Sequence, residues 1–215
     1  MKLAPYYQDD LVTLYHGDCL EHLDMLGQAD VMVTDPPYGM AYVSNSSKYK
    51  KTDAIVGDAD TKARDSVLEE WGNRPALVFG TWRVKRPDNT KMVIVWDKGD
   101  SPGMGDLSIP WGPSWEEVYV IGQGFIGKRG GAVLRMNTLS AGDKNRPDHP
   151  TPKPVPLMEQ LIGKCPPGVI VDPFAGSGST LRAAKNLGRR AIGFEIEERY
   201  CEIAARRLAQ EVLFA

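Results

Sequence analysis

The stretch Val31-Met32-Val33-Thr34-Asp35-Pro36-Pro37-Tyr38-Gly39 decides what kind of sheet the chain can build. An apolar, β-branched run ends abruptly at an acid, two prolines and an aromatic ring. Val31–Val33 has the continuous apolar character of a strand covered on both faces. Pro36 and Pro37 have no N–H to donate and fix φ, so the strand stops there. The corner presents the Asp35 carboxylate, carbonyls that no ladder claims, and the flat face of Tyr38. In open α/β sheets ligands bind at that C-terminal strand edge. Taken alone, Asp-Pro-Pro also fits an ordinary turn beside an incidental tyrosine.

The chain has 215 residues, which suits a single domain with a sizeable core. Hydrophobic residues at 42% and charged residues at 25% exclude a disordered or fibrous class. Met1–Val12 lacks the apolar core of a signal peptide, and no apolar run is long enough to span a bilayer. No membrane partner is therefore expected. Cys19, Cys165 and Cys201 are odd in number and widely spaced, which predicts free thiols in a reducing, cytoplasmic compartment. His16, Cys19 and His22 fall at three-residue spacing, but no fourth ligand cluster accompanies them, so no metal is expected. The net charge of −2 argues neither for nor against nucleic acid. Basic residues do gather in loops: Lys48, Lys50 and Lys51; Lys85 and Arg86; Lys128 and Arg129; Lys144 and Arg146; all of these but Lys85 and Arg86, together with Arg135, are candidate DNA contacts. Each such group also fits a plain solvated surface.

Working outward, the pattern predicts strands at Leu11–Tyr15, Ala76–Phe79, Met92–Trp96, Glu117–Ile121, Val169–Val171 and Ala191–Phe194. Helices are expected at Leu20–Leu26, Lys62–Trp71, Pro156–Lys164, Thr180–Leu187 and Glu198–Leu213, several closed by glycine. Met40–Thr61 reads as a polar loop and Gly122–Asp148 as loop or a small appended module. The five tryptophans, Trp71, Trp82, Trp96, Trp111 and Trp115, read as packing residues. Strand–helix alternation implies an α/β fold with a mainly parallel sheet.

Val169–Glu195 is the second informative stretch. A strand feeds the turn Asp172-Pro173-Phe174-Ala175-Gly176-Ser177-Gly178, a helix follows, and the next strand ends at Glu195. Gly176 and Gly178 allow a tight turn and close backbone approach to a ligand. Glu195 lies about twenty residues beyond, where an acid accepts hydrogen bonds from ribose hydroxyls. The third glycine of a dinucleotide fingerprint is missing, since Leu181 stands there, and Asp172 would repel a pyrophosphate. A carboxylate at that point suits a cationic ammonium group instead. S-adenosylmethionine, an adenosine carrying an amino acid, fits better than a nicotinamide or flavin cofactor of an oxidoreductase.

With both stretches in view the chain resembles the β class of DNA amino-methyltransferases, which act on adenine N6 or cytosine N4. The resemblance rests on Asp35-Pro36-Pro37-Tyr38, Asp172-Pro173-Phe174 with Gly176-Ser177-Gly178, His149-Pro150-Thr151-Pro152-Lys153-Pro154, Gly17-Asp18-Cys19-Leu20 and Val93–Lys98. It implies a Rossmann-like methyltransferase fold, circularly permuted, with an antiparallel strand in a mainly parallel twisted sheet. It implies one domain over 1–215: a catalytic half at about 1–121, a short target-recognition segment at about 122–148 and a cofactor half at about 149–215. Two departures stand out. Pro152 replaces the glutamine usual in the family, and the recognition segment is short and glycine-rich. Selectivity would then be weak, or come from the Met40–Thr61 loop or a second subunit.

The resemblance also implies roles. Asp35 and the Pro36 carbonyl, held by Pro37, would accept hydrogen bonds from the target amino group, while Tyr38 stacks on a base flipped out of duplex DNA. Glu195 would hold the ribose hydroxyls, and Pro173, Phe174, Gly176, Ser177 and Gly178 would line the cofactor. Asp172 would face its ammonium group, Thr151 and Lys153 its carboxylate, and Asp18 with Cys19 the adenine. Asp18 equally reads as the N-cap of the helix that follows it. An aspartate, rather than serine, before Pro-Pro-Tyr points to adenine N6, with cytosine N4 as the alternative. Double-stranded DNA is the implied partner. A homodimer, a cognate restriction endonuclease and a bacterial or phage origin belong to the same expectation.

Overall fold

Successive residues of the two central strands bury opposite faces. In the strand Val31–Thr34, Val31 and Val33 enter one apolar layer and Met32 enters the other, and in Ala76–Gly80 Leu77 and Phe79 separate from Ala76 and Val78 in the same way. That period of two, apolar on both sides, requires cover above and below the sheet. The computed structural model, which describes residues 3–40, 58–99, 107–139, 146–149 and 151–210, supplies it.

Among the described residues nine strands form one sheet: β1 (Tyr7–Gln8), β2 (Val12–His16), β3 (Val31–Thr34), β4 (Ala76–Gly80), β5 (Met92–Asp97), β6 (Trp115–Ile121), β7 (Val133–Arg135), β8 (Ile170–Asp172) and β9 (Ala191–Glu195). Their order across the sheet is β1-β2-β9-β8-β3-β4-β6-β5-β7. Neighbours from β2 to β4 run parallel, β6 runs antiparallel to both β4 and β5, and β1 forms an antiparallel edge on β2. The expected α/β architecture, mainly parallel with an antiparallel strand, is the one observed.

Four helices of the described residues cover the faces: α1 (Lys62–Trp71), α2 (Val155–Ile162), α3 (Ser179–Asn186) and α4 (Glu198–Leu208). The apolar side chains of α2, α3 and α4 pack with Val31, Val33, Leu77 and Phe79. Those of α1 (Val67, Leu68 and Trp71) pack on the opposite face with Met32, Ala76 and Val78. A 3-10 segment, Cys19–Gln28, joins this second layer and is kinked at His22, where an α-helix over Leu20–Leu26 was expected. Gly72 ends α1 with φ +66°, a conformation that favours glycine.

The connections fix where a ligand can bind. From β3 the chain crosses through α1 to β4 on one side, and from β8 it crosses through α3 to β9 on the other. β3 and β8 are neighbours, so the crossovers diverge between them and open a crevice at their C-terminal ends. Because β6 is antiparallel, its N-terminal residues Trp115 and Glu116 reach that same edge, as do the ends of β5 and β7.

Two expectations change. The segment 122–148 is not merely appended, since Val133–Arg135 adds an edge strand to the central sheet. Three tryptophans do not pack inside. Trp71 and Trp96 are buried, whereas Trp82, Trp111 and Trp115 are 60%, 78% and 39% exposed. Trp82 follows the end of β4 and Trp115 opens β6, so both stand where the sheet's cover runs out. Among the described residues no helix is long and apolar enough to cross a membrane.

Candidate active site

Asp35 follows β3 directly and Pro173 follows β8 directly, and a single hydrogen bond ties the two strand ends together. The Thr34 hydroxyl donates to Asp172 Oδ1 at 2.7 Å. The same oxygen accepts the Phe174 N–H at 3.1 Å, and the Thr180 hydroxyl of α3 also bonds this carboxylate. Burial raises the Asp172 pKa to about 6 against the pull of these donors. Asp172 was expected to meet an ammonium group, yet it is 2% exposed and turned inward. It braces the floor of the crevice, where three protein donors satisfy it.

Above that floor stands a cluster of five polar side chains. The Tyr38 hydroxyl lies 2.7 Å from Asp35 Oδ1 and 3.1 Å from Glu116 Oε2. The Lys153 ammonium pairs with Asp35 Oδ2 and lies 3.4 Å from Glu116 Oε2. Lys98 Nζ holds the other Glu116 oxygen at 2.5 Å. Lys153 also sits 5.0 Å over the Phe79 ring and 5.7 Å over Tyr38, so its charge rests on aromatic faces as well as carboxylates.

The environments of the two acids differ. Burial raises the Asp35 pKa more than Lys153 lowers it, and the Glu116 charge raises it further. For Glu116 burial acts in the same sense, but Lys153 and Lys98 together outweigh it and its pKa falls. Burial would lower the Lys153 pKa, and the two carboxylates raise it instead. Tyr38 is raised well above its ordinary value, by burial and by both acids, so its hydroxyl stays protonated and can only donate to them. Asp35 is thus the stronger acceptor and Glu116 the steadier charge.

The glycine turn is less open than its sequence suggested. The Ser177 carbonyl and hydroxyl oxygens accept from Arg207 of α4, and a side chain at Gly178 (φ +78°) would meet Ala204 at 2.9 Å. Both face α4 rather than the crevice. Gly176 (φ +51°) faces His149, whose Nε2 lies 3.2 Å from where a Cβ would stand. Phe174 is half-buried at the strand end and Pro173 is buried. Glu195, at the end of β9, accepts the Gly176 N–H at 2.7 Å and the Glu197 N–H at 2.8 Å. Burial raises its pKa to about 7 in spite of these donors.

Other expected residues take different places. Lys153, expected at a cofactor carboxylate, joins Asp35 and Glu116 because the turn into α2 passes over β3 and β4 on the Phe79 side. Thr151 is exposed, and its N–H donates to His149 Nδ1 at 3.2 Å. Asp18 caps the 3-10 segment by accepting the Leu20 N–H at 2.9 Å. Cys19 is buried in the layer with Phe194 and Val171, and burial pushes its thiol up to about 12.

The basic groups also separate. Lys48, Lys50, Lys51 and Lys144 lie outside the described residues. Lys128 and Arg129 are exposed but follow the far end of β6, where Lys164 Nζ bonds the Lys128 carbonyl, on the edge opposite Asp35. Arg146 donates to the Leu139 and His149 carbonyls and so braces its own loop. Arg135 stands on the crevice edge near Asp97. Glu116 was not picked out from sequence, and Lys98 and His149 were noted there only as members of quoted segments, with no role. The signal for Glu116 was the alternation in β6, which sets Glu116, Val118 and Val120 on one face and Glu117, Tyr119 and Ile121 on the other.

A family model described as DNA methylase, of the N6/N4 type, matches residues 48–206. The Type II methyltransferase M2.LlaDCHI of Lactococcus lactis subsp. cremoris is 45% identical, with 97% of this chain and 93% of the relative covered. Among solved structures, the M1.HpyAVI–SAM complex aligns with a TM-score of 0.67 at 24% identity, covering 93% of this chain and 100% of that one. The PvuII DNA methyltransferase, described as cytosine-N4-specific, aligns with a TM-score of 0.72 at 15% identity, covering 97% and 90%. At such identities the two structures speak for the fold.

Proposed function

The chain belongs to the N6/N4 DNA methylase family, and from that premise we propose that it methylates the exocyclic N6 amino group of adenine in double-stranded DNA, using S-adenosylmethionine. The observation that carries this reading is the pairing of a half-buried, strongly accepting carboxylate after β3 with a glycine turn after β8, one hydrogen bond apart. Those are the two parts a methyl transfer to nitrogen needs side by side.

An exocyclic amino nitrogen is a poor nucleophile because its lone pair is delocalised into the ring. Asp35 and the Pro36 carbonyl, fixed by two prolines, accept its hydrogens and draw the nitrogen toward a pyramidal shape with an available lone pair. Tyr38 offers its ring to a base flipped from the duplex. S-adenosylmethionine supplies the methyl carbon on a sulfonium. With that group bound, the nitrogen would form the new N–C bond as the C–S bond breaks with its pair staying on sulfur, and Asp35 would take the proton the nitrogen sheds and pass it to solvent. Positioning provides much of the rate. On the crevice edge, Arg135 and the exposed Trp82, with the Arg83 guanidinium 5.2 Å over its ring, suit contact with DNA.

Adenine is preferred over cytosine because aspartate, not serine, precedes Pro-Pro-Tyr. Incubation with labelled cofactor and duplex DNA, followed by digestion to nucleosides, is expected to give N6-methyladenine. N4-methylcytosine as the sole product would overturn this choice of base.

The cofactor fit rests on Glu195 and Gly176. Each Glu195 oxygen accepts one backbone N–H and keeps lone pairs free for two ribose hydroxyls. Above about pH 7 this carboxylate is ionised and accepts both. Below it a proton competes, so affinity falls as pH falls. S-adenosylhomocysteine is expected to bind about tenfold more weakly at pH 6 than at pH 8, from a pKa near 7. Titration calorimetry tests this. A wild-type affinity unchanged between those pH values, or an equal pH slope in Glu195→Gln, would contradict the role.

A further inference from the structure

Both oxygens of Asp35 already hold a donor. Tyr38 OH occupies Oδ1 at 2.7 Å, and the Lys153 ammonium occupies Oδ2. A target amino group that arrives at Asp35 must compete with both. Each donor has the same second acceptor within reach, Glu116 Oε2, at 3.1 Å from the hydroxyl and 3.4 Å from the ammonium. Tyr38 has one hydroxyl proton for two acceptors, so it can serve only one of them fully at a time.

Glu116 itself is not free to wander. It pairs with Trp96 across β6 and β5, and Lys98 grips its other oxygen at 2.5 Å. Lys153 and Lys98 keep it ionised. It is a fixed, charged acceptor beside a working one. We propose that Glu116 is a positioning residue for methyl transfer: it takes the Tyr38 hydroxyl and the Lys153 ammonium over from Asp35 when the target amino group arrives. The handover frees Asp35 lone pairs, turns the Tyr38 ring with its hydroxyl anchored away from Asp35, and leaves Lys153 paired throughout. This rests on the reading of Asp35 as the acceptor of that amino group.

The test is single-turnover transfer of labelled methyl groups to duplex DNA, with S-adenosylhomocysteine affinity and melting temperature measured on every variant. Glu116→Gln is expected to slow transfer roughly 10²-fold, the scale of a misplaced reacting group, with cofactor affinity retained. In that protein the Tyr38 hydroxyl stays on Asp35. Removing it should therefore help, and Tyr38→Phe/Glu116→Gln is expected to regain most of the lost rate and approach Tyr38→Phe alone. A purely structural Glu116 would not be rescued by losing a second hydrogen bond. Should Glu116→Gln not fold, Glu116→Asp keeps the charge beside Lys98 while drawing the oxygen back from Tyr38. It is expected to show the same deficit and the same rescue. Wild-type rates in the folded Glu116 variant, or a double variant slower than either single one, would overturn the proposal. If Asp35→Asn also transfers at the wild-type rate, the reading of Asp35 has failed instead, and the two failures are told apart.

Discussion

Asp35→Asn is expected to slow single-turnover methyl transfer by roughly 10³-fold, the upper range for removing one preorganised electrostatic group from an active site. The substitution keeps the size of the side chain but replaces a charged acceptor with an amide whose NH2 group donates. Its single neutral carbonyl oxygen accepts more weakly than a carboxylate, and it must serve both the target nitrogen and the Lys153 ammonium that pairs with Asp35 in the wild type. Lys153 keeps Glu116 as a partner, so the protein should fold. Glu195 and Gly176 lie on β9 and the β8 turn, away from the change, so S-adenosylhomocysteine affinity should stay within about twofold. Rapid-quench kinetics and calorimetry on one preparation measure both. A rate within about threefold of wild type would remove Asp35 from the chemistry, since it is less than the weakest effect expected of such a group.

The second large effect concerns stability. Lys153 is 6% exposed and neutralises two half-buried carboxylates. Lys153→Met fills the space of its stem but leaves Asp35 without a cation and Glu116 with Lys98 alone. Breaking a buried pair from one side costs about 3–5 kcal/mol, because the remaining charge is uncompensated. The sign of the pH dependence follows. Without Lys153, burial holds the Asp35 pKa above its unfolded value, so the folded state binds the proton more readily than the unfolded one. The loss is therefore fullest near neutral pH and shrinks as pH falls toward 5 and Asp35 takes a proton. Urea titrations of both proteins at pH 7.5 and near pH 5 check it. An equal deficit at both pH values would show that packing, not charge, is what Lys153 supplies.

Much of this was legible in the chain because it is local. The apolar runs at Val31–Val33, Ala76–Phe79 and Ala191–Phe194 specify buried strands without help from distant residues, and helix α1 lies where Lys62–Trp71 and Gly72 predict it. The order of the sheet was not local. That Thr34 would bond Asp172 across 138 positions depends on β3 and β8 becoming neighbours. Glu116 was hidden for the same reason. Its role comes from β6 running antiparallel, which carries its first residues to the crevice edge. Lys128 and Arg129 follow the far end of β6, on the edge opposite Asp35, and a loop's charge alone says nothing about which edge of a sheet the loop lies on. Lys153 was assigned by resemblance to a cofactor group, whereas the fold sets it against Asp35. The exposed Trp82 and Trp115 show the limit of composition, since a large apolar side chain at a strand end has no cover to pack beneath.

The most direct measurement is the modified-base content of DNA from cells that express the wild-type chain, compared with cells that express Asp35→Asn at the same level. The account predicts N6-methyladenine with the wild type and none above background with Asp35→Asn. Equal methylation from the two proteins would contradict it.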